Sequence, residues 1–162
     1  MELDPTDLAL VDALQRDASQ RLEDLARLVQ LAPSSVHDRL RRLERDGIIQ
    51  RWTIDVDATA LGLPVLAFIG LRSTRPCSEL LPALEAIPAI EEAHSVAGQL
   101  GLLVKVRVAS TQSLLELTER LRQIPGVEGT ETTIVLRTQL DRPITLPQPT
   151  PPARRARGAR PR

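Results

Sequence analysis

The sequence predicts an α+β protein in two parts: three short helices, then a sheet with two helices laid against it. Two observations carry this. Between Pro5 and Arg45 the apolar residues recur at helical spacing in three separate runs. From Val65 to Arg137, aliphatic alternating runs and helical runs follow one another in the order βαββαβ.

The first helix is announced by Asp4-Pro5-Thr6-Asp7, with an N-cap residue, a proline at the first helical position and an acid in the first turn. Leu8, Val11 and Leu14 supply its apolar stripe, which ends near Asp17. The second spans roughly residues 22–30, with Leu22, Leu25, Ala26 and Val29 on one face. Glu23 and Asp24 suit its positive N-terminal end. Only Leu31-Ala32-Pro33 separate it from the third, which runs to about Arg45. With Val36 at zero on a helical wheel, Leu40 and Leu43 fall in one apolar stripe. Ser34, Asp38, Arg41 and Arg45 lie opposite, flanked by His37 and Arg42.

Three short helices with a tight turn between the last two describe a helix-turn-helix. An amphipathic helix showing arginines and short polar groups to solvent fits the DNA major groove, where Arg pairs with guanine edges and Ser or His reach bases or phosphates. Ser34, Ser35, His37, Asp38, Arg41, Arg42 and Arg45 are therefore the candidate contacts to double-stranded DNA. A solvated surface helix carries the same pattern, so the face alone does not decide the matter.

Residues 48–56 are β-branched and roughly alternating, which predicts a strand, and 57–64 reads as a hinge. The second half begins with a strand at 65–72, Val65, Ala67, Ile69 and Leu71 on one face. A helix over 78–87 follows, with Pro82 in its first turn or distorting it. Strands at 90–97 and 102–108, a helix from a Ser110 or Thr111 cap to Ile124, and a strand at 130–137 complete the order. That order is the ferredoxin-like plan. An RNA-binding version needs exposed aromatics on its central strands. This chain has one Phe, one Trp and no Tyr, which removes that reading.

Four regions result: a helix-turn-helix at 1–47, a connecting strand and hinge at 48–63, a ferredoxin-like domain at 64–141, and a Pro/Arg-rich tail at 142–162, expected to be disordered. Formal charge is zero, but unevenly spread. Up to Arg142 there are 21 acidic and 16 basic side chains; beyond it come five arginines and no acid. Any attraction to DNA must come from a local basic patch or from the tail. Cys77 is the single cysteine, and the two histidines, His37 and His94, are far apart. No disulfide, metal-ligand spacing or phosphate-binding glycine loop is present, so neither catalytic residues, metal nor cofactor is expected. With no signal-like N-terminus and no spanning apolar run, no membrane partner is expected, and the location expected is the cytoplasm.

Asp4-x-x-Asp7, Asp24-Leu25-Ala26, Pro33-Ser34-Ser35-Val36, Arg39-Leu40-x-x-Leu43-Glu44-x-x-Gly47-Ile48-Ile49 and Asp55 through Leu61-Gly62-Leu63 together resemble the Lrp/AsnC (leucine-responsive, feast/famine) regulators of bacteria and archaea. The resemblance continues through Gly98 and Pro125-Gly126-Val127 to about Asp141. It implies a transcriptional regulator whose second domain senses a small molecule, an amino acid or related metabolite, and assembles the chain into a homodimer and higher even-numbered oligomers. It also implies an effector loop at Gly98-Gln99-Leu100-Gly101, where such proteins commonly carry Gly-Asp-Tyr-Asp. Here both acids and the aromatic are replaced. A neutral amide cannot give an ammonium group the charge-assisted bond of a carboxylate, so weak or no binding of ordinary amino acids is expected at this loop. The same four residues also suit a plain turn between strands. Ala32 and Arg21 stand where the family caps its third and second helices. Two other functions share parts of this plan. A sirohaem decarboxylase-like enzyme needs histidines near its ligand, and only His94 lies in the second half. A sensor without DNA binding would keep the second domain alone.

Overall fold

The computed structural model describes residues 3–147. They divide into two compact units, one of residues 3–55 together with 141–147, the other Val56–Leu140.

The first unit holds α1 (Pro5–Arg16), α2 (Leu22–Val29) and α3 (Pro33–Arg45). Leu10, Ala13, Leu25, Ala26 and Val36 are its buried centre, with Leu14, Leu22, Val29 and Leu40 packed against them. Asp4 caps α1 through the Asp7 amide (2.8 Å), and the Asp7 carboxylate accepts from the Asp4 amide in return (3.3 Å). This reciprocal box satisfies two amides that the first turn leaves without helical partners. Neither Arg21 nor Ala32 makes a side-chain cap, so α2 and α3 start without one. The turn after α2 places Gln30 at φ 55°, a left-handed conformation that costs a non-glycine residue about 1 kcal/mol. After α3, Gly47 takes that conformation freely at φ 74°. Its amide reaches the Glu44 carbonyl (2.9 Å) and the Ile48 amide reaches Leu43 (2.9 Å), closing the helix with a two-bond C-terminal cap.

In the second unit, β1 (Val65–Ser73), α4 (Cys77–Glu85), β2 (Ile90–Ser95), β3 (Leu102–Val108), α5 (Thr111–Arg122) and β4 (Val127–Ile134) form an antiparallel sheet in the order β2-β3-β1-β4. Ala67, Ile69, Leu71, Leu102, Val104, Val106 and Val108 line its inner face and bury Leu80, Leu84, Leu114, Leu117 and Leu121 of the helices. The side-chain alternation read along β1 and β3 is the one observed.

The structure differs from the sequence reading at several element ends, and four points bear on the sites. Residues 48–56 form no strand, and Ile48, Trp52, Ile54 and Val56 stay exposed. Strand patterning becomes a strand only when a neighbouring chain supplies the ladder, and none of the described residues does so. β4 starts three residues earlier than expected because it pairs with β1 directly after the Gly126 turn, with a register shift at Arg72/Ser73. Pro82 sits well inside α4, beyond the first turn, so that helix lacks one amide donor of its ladder. Residues 142–147 have no regular secondary structure and belong with the first unit; the rest of the tail lies outside the described residues.

Candidate functional site

α3 presents the first candidate site because its sequence splits cleanly by face. Val36 and Leu43 are fully buried. Ser34, Ser35, His37, Asp38, Arg41 and Arg45 are all exposed along the opposite side, so the fold displays six of the seven candidate residues together. Arg45 touches only its neighbour Asp46 (3.4 Å), and Arg41 forms no ion pair among the described residues. Arg41 and Arg45, one turn apart, thus present two guanidinium groups on one strip, the first without an ion pair among the described residues and the second with only the long contact to Asp46.

Arg42 departs from this picture. Its Nη2 donates to Asp7 Oδ2 at 2.5 Å, which turns it towards α1 and away from the strip. Asp7 is only 1% exposed. Its other oxygen accepts from Arg39 Nη1 (2.8 Å), the same nitrogen that donates to Asp4 Oδ2 (2.6 Å). One buried carboxylate therefore holds two arginines of α3 against the N-terminus of α1. Burial opposes ionisation of Asp4, yet the Arg39 guanidinium and the Asp7 and Thr6 amides outweigh it and hold its carboxyl below the ordinary value. Asp4 and then Asp7 raise Arg39 in turn. Sequence reasoning took Asp7 only as a first-turn acid and gave Arg39 no role. A signal was available: Arg39 lies about 60° from Val36 on a helix of 3.6 residues per turn, too near the buried side for a solvated arginine. Trp52 Nε1 also donates to Glu44 Oε1 (2.5 Å), tying the segment after α3 to its flank.

The loop between β2 and β3 is the second candidate. Gly98 stands at φ 127°, a conformation closed to other residues without strain. The Gly101 amide donates to the Leu71 carbonyl (3.1 Å), and the Gly101 carbonyl accepts from the Val96 amide (3.2 Å) and the Cys77 thiol (3.2 Å). Gln99 is exposed and makes no hydrogen bond among the described residues. Leu100 folds back over the outer sheet face onto Gly70. A Cβ at Gly70 would overlap Leu100 Cδ1 and stand 2.9 Å from Cδ2. The four loop residues are therefore together, but the apolar one is turned inward as a plug. The polar chemistry left to the loop is that of its main chain and the Gln99 amide.

Beside it on β2 and β3 runs a charge ladder. Lys105 bridges Glu92 (2.8 Å) and Glu91 (3.3 Å), Arg107 reaches Glu91 (2.5 Å), and His94 meets Glu92 (2.9 Å). Lys105 first and His94 second lower the Glu92 carboxyl, and Glu92 raises Lys105. These acids are engaged with cations of their own sheet. Among the described residues no cluster of three His, Cys, Asp or Glu side chains could hold a metal, and no helix is long and apolar enough to cross a membrane.

Comparisons with known proteins agree with this geometry. A protein-family model of a winged helix-turn-helix DNA-binding domain matches residues 3–50, and one of the Lrp/AsnC ligand binding domain matches 66–144. The chain is 35% identical over 137 residues to the transcriptional regulator FL11 of Pyrococcus horikoshii, covering 84% of this chain and 91% of that one. It is 36% identical over 138 residues to the regulator LrpA of Mycobacterium tuberculosis, covering 84% and 91%. A feast or famine regulatory protein from M. tuberculosis, solved in complex with L-methionine, superposes with a TM-score of 0.83 at 34% identity, over 90% of this chain and all of that one. These homologues are transcriptional regulators and not enzymes, which sets the decarboxylase reading aside.

Proposed function

Because the chain belongs to the Lrp/AsnC family of transcriptional regulators, with a helix-turn-helix domain and an effector-binding domain, we propose that the exposed strip of α3 reads its operator and that the 98–101 loop takes part in binding the effector. One observation carries the first half: Ser34, Ser35, His37, Asp38, Arg41 and Arg45 stand exposed on the face opposite the buried Val36 and Leu43. Arg41 and Arg45 supply the bidentate donors that read guanine edges. Arg39 and Arg42 hold the helix at its angle through Asp7.

The effector proposed is an amino acid or related metabolite, the class to which the L-methionine bound by the M. tuberculosis relative belongs. With Gln99 and Gly101 in place of acids, an ammonium group gains no charge-assisted bond from this loop. A ligand recognised through main-chain amides and an apolar contact suits it better. Two features support assembly into a homodimer and larger even-numbered oligomers. Residues 48–56 have strand patterning without a ladder, and Leu66, Phe68 and Leu103 are only half-buried on the outer sheet face. Effector binding that favours one assembly would change the spacing of paired α3 helices and so the operator affinity. A protein that reads DNA works where the chromosome is, so the cytoplasm is its proposed location.

Mobility-shift titration of Arg41→Ala and Arg45→Ala against the DNA upstream of the chain's own gene tests the reading. Each variant is expected to lose about 1–3 kcal/mol of binding where the side chain meets a base edge. Wild-type affinity in both would remove α3 from the reading role.

A further inference from the structure

α3 carries four arginines, Arg39, Arg41, Arg42 and Arg45, but shows only Arg41 and Arg45 along its exposed strip. The other two are turned onto α1 and share one carboxylate. Asp7 Oδ1 accepts from Arg39 Nη1 (2.8 Å) and Asp7 Oδ2 from Arg42 Nη2 (2.5 Å). Asp4 shares the same Arg39 nitrogen at 2.6 Å. Burial is uneven within this cluster. The Asp7 side chain is 1% exposed, whereas those of Arg39 and Arg42 keep 27% and 40% of their surface. The anion is fixed inside the unit and the two cations stand at its edge.

The carboxylate sets how firmly those cations are held. Arg42 Nε is buried and donates to nothing among the described residues, so this side chain leaves one donor unmet in bringing Nη2 to Asp7. If either guanidinium left for a phosphate, Asp7 would remain as a buried carboxylate short of a partner, and stranding such a charge is costly. On the helical wheel Arg42 flanks the exposed strip, so a released side chain would stand at the rim of any groove that α3 enters. Phosphate contacts raise affinity for every duplex alike, whereas contacts to base edges separate one sequence from another. Two arginines removed from the first kind of contact leave a larger share of the binding to Arg41 and Arg45.

We propose that Asp7 is a positioning residue that sets DNA specificity: it withholds Arg39 and Arg42 from the phosphate backbone and so keeps binding to arbitrary sequence weak. Asp7 touches no DNA itself and acts through the two arginines. The inference rests on the reading of α3 as the DNA-binding face. The two can fail separately.

The test measures binding of the intact chain to two fluorescein-labelled duplexes of equal length, the DNA upstream of its own gene and a scrambled sequence, from 50 to 300 mM KCl. Asp7→Asn keeps the size of the side chain and removes its charge. Each neutralised phosphate contributes about 0.9 to the slope of log affinity against log salt, so release of one or both arginines should steepen it by about 1–2. Affinity for the scrambled duplex should rise about tenfold at 100 mM KCl, and the ratio between the duplexes should fall. A residue that only props α3 would lower affinity for the upstream duplex and leave the slope alone; that result overturns the inference. Asp12→Asn makes the same change of charge on α1, where Asp12 pairs with Arg16, without touching α3. Equal steepening by Asp12→Asn would reduce the effect to net charge and overturns the inference as well. Should Asp7→Asn not fold, Arg42→Gln decides, because Arg39 still meets Asp7 in that variant. Whatever it does to affinity, a withheld arginine leaves the slope unchanged, and flattening by about 0.9 would place Arg42 on a phosphate and overturn the inference. Wild-type affinity in Arg41→Ala and Arg45→Ala removes the reading of α3 instead, and binding of the intact chain to neither duplex at 50 mM KCl overturns both.

Discussion

The strip on α3 and the loop at 98–101 both show polar groups to solvent, yet they are anchored differently. On α3 the apolar residues go inward and the polar ones outward, so the strip is open: Arg41 and Arg45 reach solvent. In the loop the one large apolar residue, Leu100, also goes inward, but onto Gly70, and fills the space over the sheet. The lesson is about where the anchoring side chain sits. A helix anchors itself with residues distinct from those it displays. A four-residue loop has none to spare, and Leu100 becomes the anchor.

The largest effect is expected where the α3 strip depends on a distant residue. Asp7→Ala leaves Arg39 and Arg42 without their buried carboxylate, and removing one partner of such a cluster costs about 3–5 kcal/mol. Urea denaturation followed by the fluorescence of Trp52, the single tryptophan, reads the stability of the first unit directly. Loss of under about 1 kcal/mol would show that the clamp is a surface pair and that α3 is held by Leu43 and Val36 alone.

A double-mutant cycle probes the loop. Gly70→Ala should expel Leu100, at a cost of about 1–3 kcal/mol from the overpacked site and the lost burial. In the Leu100→Ala background the same change should cost almost nothing, giving a coupling of about 1 kcal/mol or more. Additive effects would mean that Leu100 does not rest on Gly70 and that the loop is as open as α3.

The smallest effect concerns the start of α3. Ala32 is at the N-cap with no side-chain bond, although its backbone is already extended as a cap requires. Ala32→Ser should therefore stabilise the first unit by about 1 kcal/mol without touching the exposed strip. Thermal unfolding should show the gain with operator affinity unchanged. A changed affinity would reveal that the helix start is itself part of the DNA contact.

Much of this molecule was legible in its sequence because its signals are local. The three helices, the capping acid at Asp4, the βαββαβ order and the outward strip of α3 all follow from spacing within a dozen residues, which helical and strand periodicity make readable. The family resemblance drew on the same local fragments. What tertiary structure alone decided involves residues far apart in the chain. Asp7 meets Arg42 across 35 positions and Arg39 across 32, which changes Arg42 from a DNA candidate into a clamp on α1. Leu100 finds Gly70 across the sheet because β3 pairs with β1, and no pattern within the loop foretells it. Residues 48–56 carry every mark of a strand and form none, since a ladder needs a second chain segment that spacing cannot supply. That residues 141–147 group with the first unit was equally hidden. Periodicity is a property of consecutive residues, whereas pairing is chosen by burial and charge over the whole fold. The outward face of a helix can therefore be read from the sequence, and the partner of a buried carboxylate has to be seen.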